Sequence, residues 1–129
     1  MAQMNSADRK KILMADESRT SRMLTSVALK TLPCRLETAL DGEEAVTKAL
    51  ADPPDLIVLD VVMPKLDGFE TCRRLRQNEA TRSVPIIMLT IRGEREDRDN
   101  GFHAGCTEYL TKPLNMPEFL TKVRTHLAG

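Results

Sequence analysis

Asp55 to Glu70 reads DLIVLDVVMPKLDGFE. Its four consecutive aliphatic residues, Leu56 to Leu59, predict a strand buried on both faces, where polar and apolar side chains need not alternate. The run ends in a carboxylate, Asp60, ahead of Met63-Pro64 and Asp67-Gly68, pairs that favour turns and helix starts. A strand covered on both faces belongs to a parallel sheet, and in open α/β sheets ligands bind in the crevice outside the carboxyl ends of the strands. Asp60 sits at such an end. Taken alone it could be no more than a cap for the next element, because Asp is a common turn and cap residue. The rest of the chain separates the two readings.

Outward from this strand, short apolar runs alternate five times with amphipathic segments, the pattern of a doubly wound α/β fold with a five-stranded parallel sheet. Lys11 to Ala15, KILMA, is the first strand. The helix after it carries Met23, Leu24, Val27, Ala28 and Leu32 at helical spacing, which predicts that face as the inner one. Cys34 to Ala39 form the second strand. Asp41 and Glu44 then have capping-box spacing for a helix with Val46, Ala49 and Leu50 inward, stopped by Pro53-Pro54. After the Asp60 strand a third helix begins near Asp67, with Phe69, Cys72 and Leu75 on its inner face. Val84 to Thr90, VPIIMLT, is the fourth strand. The fourth helix, Glu94 to Ala104, contains Gly101 and few apolar residues besides Phe102, and so weak an anchorage predicts movement. Cys106 to Thr111 make the fifth strand, and Asn115 with Glu118 opens a last helix bearing Phe119, Leu120, Val123 and Leu127. The reading is one domain over residues 10–129, preceded by a flexible tail over residues 1–9.

Lys plus Arg and Asp plus Glu number 19 each, so the near-zero net charge gives no broad footprint for direct nucleic-acid binding. The stretch RGEREDRD, Arg92 to Asp99, alternates in sign and predicts a solvated face. Cys34, Cys72 and Cys106 form no CxxC pair, which predicts buried, reduced thiols rather than a zinc or redox site. The opening MAQMNSADRK lacks an apolar core of signal-peptide length, and no stretch approaches the roughly 20 apolar residues of a membrane span. A cytoplasmic protein with no membrane segment is the expectation.

The polar residues fall at the strand ends. Asp16 and Glu17 follow the first strand, Asp60 ends the third, Thr90 ends the fourth, and Lys112 follows the fifth just before Pro113. In a doubly wound sheet these ends open on one edge, so five side chains converge on one cleft. Three carboxylates together raise one another's pKa unless a cation is present. Mg²⁺ suits them, being held by one or two carboxylates plus waters and phosphate oxygens. One carboxylate can then act as a nucleophile toward phosphorus and form an aspartyl phosphate. Lys112 is the ammonium group available to the equatorial oxygens, and the Thr90 hydroxyl can hydrogen-bond the product phosphate.

These residues resemble the receiver domain of two-component response regulators, of the single-domain chemotaxis-regulator size. The likeness runs from Lys10 to Leu127 and rests on ILMADES, LIVLDVVMPKLDG, VPIIMLT and GCTEYLTKPL. It implies a flavodoxin-like (βα)5 fold with strand order 2-1-3-4-5. It implies that Asp60 accepts a phosphoryl group from a phosphohistidine of a sensor histidine kinase or phosphotransfer protein. Asp16 and Glu17, the latter more directly, would hold Mg²⁺ together with Asp60 and the backbone carbonyl of Val62. Lys112 would contact the phosphoryl oxygens, and the Lys112-Pro113 bond is expected to be cis. On phosphorylation Thr90 would move toward the phosphate and Tyr109 would swing inward behind it. The new dianion would thereby change the face made by the fourth helix, fifth strand and fifth helix, where a downstream target protein binds. Such a domain is a signalling module that catalyses only its own phosphorylation and dephosphorylation. Gly68 is expected to supply backbone freedom to the turn. Met63 and Pro64 would shape the loop over the acceptor.

The sequence departs from the family's pattern in three places. Asp16-Glu17 stands where two aspartates are commoner, adding a methylene at the metal. Ile91 follows the threonine where a small residue is usual, and a bulky side chain there would narrow access to Asp60. Val62 and Arg92 occupy the positions that tune loss of the phosphoryl group, and Val62 cannot orient a water, which predicts slow dephosphorylation. His103 and His126 are read as surface or helix-end residues. A haloacid-dehalogenase-type phosphohydrolase would need a second acid at Val62, and a nucleotide-binding fold would need a glycine-rich turn where ADESRTSR has none. The competing function is a receiver-like interaction module that works without phosphorylation.

Overall fold

The computed structural model describes residues 9–128. The tail expected over residues 1–9 therefore lies, apart from Arg9, outside the described residues. Five strands alternate with five helices: β1 Lys10–Ala15, α1 Arg19–Leu29, β2 Cys34–Ala39, α2 Gly42–Ala51, β3 Leu56–Asp60, α3 Gly68–Gln77, β4 Ile86–Thr90, α4 Arg95–Ala104, β5 Glu108–Thr111 and α5 Met116–Ala128. The strands form one parallel sheet in the order β2-β1-β3-β4-β5. The order reverses at β1, whose neighbours β2 and β3 lie on either side of it, so the switch point of the fold is at the ends of β1 and β3.

The period of two along each strand divides the core. Ile12 and Met14 of β1, Leu56 and Val58 of β3, and Ile87 and Leu89 of β4 pack with Leu29 of α1 and Phe119 and Val123 of α5. Leu13, Ala15, Ile57, Leu59, Ile86 and Met88 face the other way, onto Ala45 and Ala49 of α2, Phe69, Cys72 and Leu75 of α3, and Ala104 of α4. Both sides of β3 are thus covered, which is why its sequence does not alternate. Carried one residue further, the same parity puts Asp60 on the α1/α5 side of the sheet edge and Thr90 on the side of α3 and α4.

The helix starts follow the side chains predicted to cap them. Asp41 accepts from the Glu44 N–H at 2.8 Å, Asp67 from the Glu70 N–H at 2.9 Å and Asn115 from the Glu118 N–H at 3.0 Å. Several inner faces differ from expectation. In α1 the buried residues are Thr25 and Leu29, while Met23, Leu24 and Val27 are exposed. Leu50 of α2 and Phe102 of α4 are also exposed. Asp97, expected in a solvated run, is buried and pairs with Arg92 at 2.8 Å. The turn after β3 obtains its positive φ from Lys65, at 69°, and not from Gly68. Gly68 serves a different need: a Cβ there would stand 2.3 Å from the Asp60 carbonyl oxygen and 2.7 Å from the Val61 Cα, so only glycine lets α3 start against the strand end. Cys72 and Cys106 are buried free thiols, pushed by burial up to about 11 and about 12, and Cys34 is half-buried.

Candidate functional site

Asp16 follows β1 and is buried, with its Oδ1 accepting from the Ser18 N–H at 2.9 Å. The β1–α1 loop is tied down by Arg22, whose Nη1 donates to the carbonyl oxygens of Asp16 and Glu17, both at 2.9 Å. Asp60 is 8% exposed at the end of β3, and its Oδ1 accepts from the Val62 N–H at 3.1 Å. The ammonium of Lys112 joins the two acids. Its Nζ donates to Asp60 Oδ2 at 2.9 Å, to Asp16 Oδ2 at 3.1 Å and to Ser21 Oγ at 2.6 Å. The Lys112-Pro113 peptide bond is cis.

Burial pushes the Asp60 carboxyl above the usual carboxylate range. Lys112 and the Val62 N–H pull it down and the Asp16 charge pushes it up, so the burial is not overcome. For Lys112 burial works against the charge, but the hydrogen bonds and charges of Asp60 and Asp16 outweigh it and hold the ammonium above its ordinary value. The cleft therefore keeps its lysine charged, while burial leaves the Asp60 carboxyl harder to ionise than an exposed one.

Thr90 is fully buried, and its Oγ1 accepts from the Arg92 N–H at 3.1 Å. The carbonyl of Arg92 accepts in turn from the Tyr109 hydroxyl at 2.5 Å. The Tyr109 ring, expected to swing inward on phosphorylation, is already inward at 3% exposure, with the Arg98 guanidinium 5.5 Å from its centroid. Gly101 makes the seat for that ring: a Cβ there would meet Tyr109 Cδ2 at 2.6 Å. The glycine read as a weakness of α4 is thus what allows Tyr109 to be buried beside it. Ile91 is 76% exposed, whereas a side chain closed over Asp60 would itself be covered. Glu17 is exposed, and among the described residues no three Asp, Glu, His or Cys side chains come close enough to hold an ion. The structure therefore brings Asp16, Asp60 and Lys112 together, keeps Thr90 and Tyr109 on the other side of the sheet edge, and leaves the Glu17 carboxylate outside the pair of acids. His103 is exposed on α4, and His126 on α5 is hydrogen-bonded to Glu108 Oε2 at 2.9 Å.

Sequence reading missed Ser21 and the role of Gly101. Ser21 carries one weak signal, its place four residues after Glu17 in the first turn of α1. Gly101 carries none, because its purpose depends on a ring eight residues further along the chain.

The sequence profile of the response regulator receiver domain matches residues 12–124. The chain belongs to this family. It is similar to Protein PilG of Pseudomonas aeruginosa, 36% identical over 121 residues that cover 94% of this chain and 90% of that protein. A putative response regulator from Chloroflexus aurantiacus has a structure that superposes with a TM-score of 0.89 at 32% identity, covering 94% of this chain and 99% of that one. The receiver domain of the sensor histidine kinase PA1611 from Pseudomonas aeruginosa, described with a magnesium ion coordinated in its active-site cleft, superposes with a TM-score of 0.87 at 30% identity, covering 94% and 99%. The chain spans about half the length, 48% to 50%, of several curated relatives that are transcriptional regulators. As a receiver domain of two-component response regulators it is a signalling domain. Among its described residues no helix is long and apolar enough to cross a membrane.

Proposed function

We propose that this receiver domain takes a phosphoryl group onto Asp60 from a phosphohistidine of a partner kinase or phosphotransfer protein. The observation that supports this best is the Lys112 ammonium held between the Asp16 and Asp60 carboxylates at the switch point of the sheet. A carboxylate oxygen of Asp60 forms the new O–P bond as the N–P bond of the phosphohistidine breaks, and the electron pair of that bond returns to the imidazole. Lys112 releases its hydrogen bond to Asp60 and donates to the phosphoryl oxygens, whose charge it offsets.

The donor set fits a hard divalent cation. Asp16 and Asp60 supply two carboxylates that share the single Lys112 ammonium, and burial keeps the proton affinity of Asp60 raised despite it. Asp16, Asp60, the Val62 carbonyl and, after a side-chain rotation from solvent, Glu17 would hold Mg²⁺. When bound, the ion supplies charge neutralisation at the phosphoryl oxygens.

Thr90 accepts a hydrogen bond from Arg92, while its own proton has no protein acceptor among the described residues, which leaves it to donate to a phosphate. The Arg92 backbone then carries that change to Tyr109, because its N–H contacts one residue and its carbonyl the other. The readout surface would be the face of α4, β5 and α5, where Arg98, Phe102, Leu110 and Lys122 border a concavity of about 510 Å³. A downstream target protein docking there, in a reducing cytoplasm and without direct nucleic-acid contact by this domain, completes the reading.

The test is incubation with Mg²⁺ and acetyl phosphate or beryllofluoride, followed by intact mass or a spectral change, with Asp60→Ala alongside. Saturable, Mg²⁺-dependent modification that disappears in the variant supports the proposal. A chain that binds no Mg²⁺ and is modified by neither reagent is a phosphorylation-independent docking module.

A further inference from the structure

We propose that Ser21 is a positioning residue for this transfer, its hydroxyl oxygen anchoring the Lys112 ammonium when both carboxylates are engaged by other groups. The inference rests on Asp60 being the phosphoacceptor. An ammonium has three N–H donors and no acceptor, and all three of Lys112 are committed: 2.6 Å to Ser21 Oγ, 2.9 Å to Asp60 Oδ2 and 3.1 Å to Asp16 Oδ2. Two of these acceptors change during the reaction. The Asp60 oxygen becomes part of an acyl phosphate and loses its anionic charge, and Asp16 turns toward a cation. Ser21 Oγ is the shortest of the three contacts, is neutral, and is not consumed.

The anchor is needed because a lysine is a point charge on a flexible four-carbon stem. Released by both carboxylates, it would otherwise be free to leave the cleft for water. With one N–H fixed on Ser21, the other two can donate to phosphoryl oxygens without a search.

Ser21 itself is well placed to act as a fixed point. It lies in the first turn of α1, where its N–H donates to the Ser18 Oγ cap at 3.2 Å. Arg22, the next residue, holds the Asp16 and Glu17 carbonyls. The first turn of α1 is therefore tied to the end of β1, and the cap uses the Ser21 backbone rather than its hydroxyl. Removing the hydroxyl leaves the helix start in place.

The experiment compares the full chain with Ser21→Ala and Ser21→Thr, using Asp60→Ala as the control for the site of modification. The rate of Asp60 modification by acetyl phosphate with Mg²⁺ is measured over a range of donor concentrations. In Ser21→Ala the maximal rate is expected to fall by about tenfold, the scale of one hydrogen bond to a charged group. The half-saturating donor concentration is expected to hold, and Ser21→Thr, which keeps the hydroxyl, to recover most of the rate. A second readout needs no phosphoryl transfer: the ¹⁵N-lysine ammonium spectrum of the protein with Mg²⁺ and beryllofluoride bound, where both carboxylates are engaged, with the Lys112 signal identified by its loss in Lys112→Arg. That signal is expected to be sharp in the parent chain and in Ser21→Thr, and broadened in Ser21→Ala. Asp60-dependent modification at the parent rate in Ser21→Ala, or a Lys112 signal indifferent to Ser21, overturns the inference and leaves the phosphoacceptor reading standing. A parent chain not modified at Asp60 overturns the reading and the inference with it.

Discussion

Two lysines of this chain have nearly the same surroundings and opposite uses. Lys11, near the start of β1, is buried, and its Nζ lies 2.9 Å from Glu37 Oε1 and 3.0 Å from Asp52 Oδ2, and donates to the Asp52 carbonyl at 2.9 Å. Lys112, at the opposite edge of the sheet, also has two carboxylates and one neutral oxygen. The difference lies in the acids. Asp52 stands in solvent, and the hydrogen bond and charge of Lys11 hold its carboxyl below the ordinary range. Asp60 is buried beside a second buried carboxylate, and its carboxyl is held above that range. One lysine closes an ion cluster that pins α2 and β2 to β1. The other leaves an acid that gains from any further positive charge. Solvent access to the carboxylates, rather than the number of contacts, separates this structural tie from the proposed reactive site.

The largest expected contrast is in chemistry. Lys112→Met should slow Asp60 modification by acetyl phosphate by about 100-fold or more, the scale seen when one charge-stabilising donor is lost, whereas Lys11→Met should leave the rate unchanged. Equal rates in the two variants would break the comparison. Next in size is stability. Lys11→Met removes the cation from the exposed Asp52 and from Glu37, whose Oε1 is buried, and should cost about 1–3 kcal/mol in urea unfolding.

The pH dependence is a smaller effect with opposite signs at the two edges. The Asp60 pKa is raised in the folded state, so its ionisation opposes folding; that penalty is absent below the ordinary Asp value and complete above the folded one. In EDTA, Asp60→Asn should therefore raise the unfolding midpoint at pH 7, and the gain should vanish as pH falls through this window. The Asp52 pKa is lowered, so its contribution is present above the ordinary Asp value and lost as pH falls through the folded one. Asp52→Asn should lower the pH 7 midpoint slightly and make no difference in strong acid. A pair of variants shifting in the same direction would remove the distinction.

Element order and the polar residues at strand ends could be read from the chain because each is a local or periodic property, whereas the strand order followed only from the family resemblance. An unbroken Leu56–Leu59 run reports coverage on both faces, Asp41 and Asp67 report helix starts, and a parallel sheet brings its strand ends to one edge. Facing was less legible. Met23, Leu24 and Val27 make an apolar stripe on α1, but the connection from Asp16 through the Ser18 cap turns Thr25 and Leu29 toward the sheet instead. A periodic pattern shows that a helix has two faces; rotation about the helix axis is set by how its ends are attached.

Asp16, Asp60, Thr90 and Lys112 were therefore placed at one edge by their positions after apolar runs. That Asp16 and Asp60 meet on one ammonium, that Ser21 supplies its third acceptor, and that Gly101 yields room for Tyr109 depend on contacts spanning 96, 52, 91 and 8 residues. Sequence spacing carries no distance across such intervals. Only packing the two helical layers against a twisted sheet brings those atoms within hydrogen-bonding and van der Waals reach.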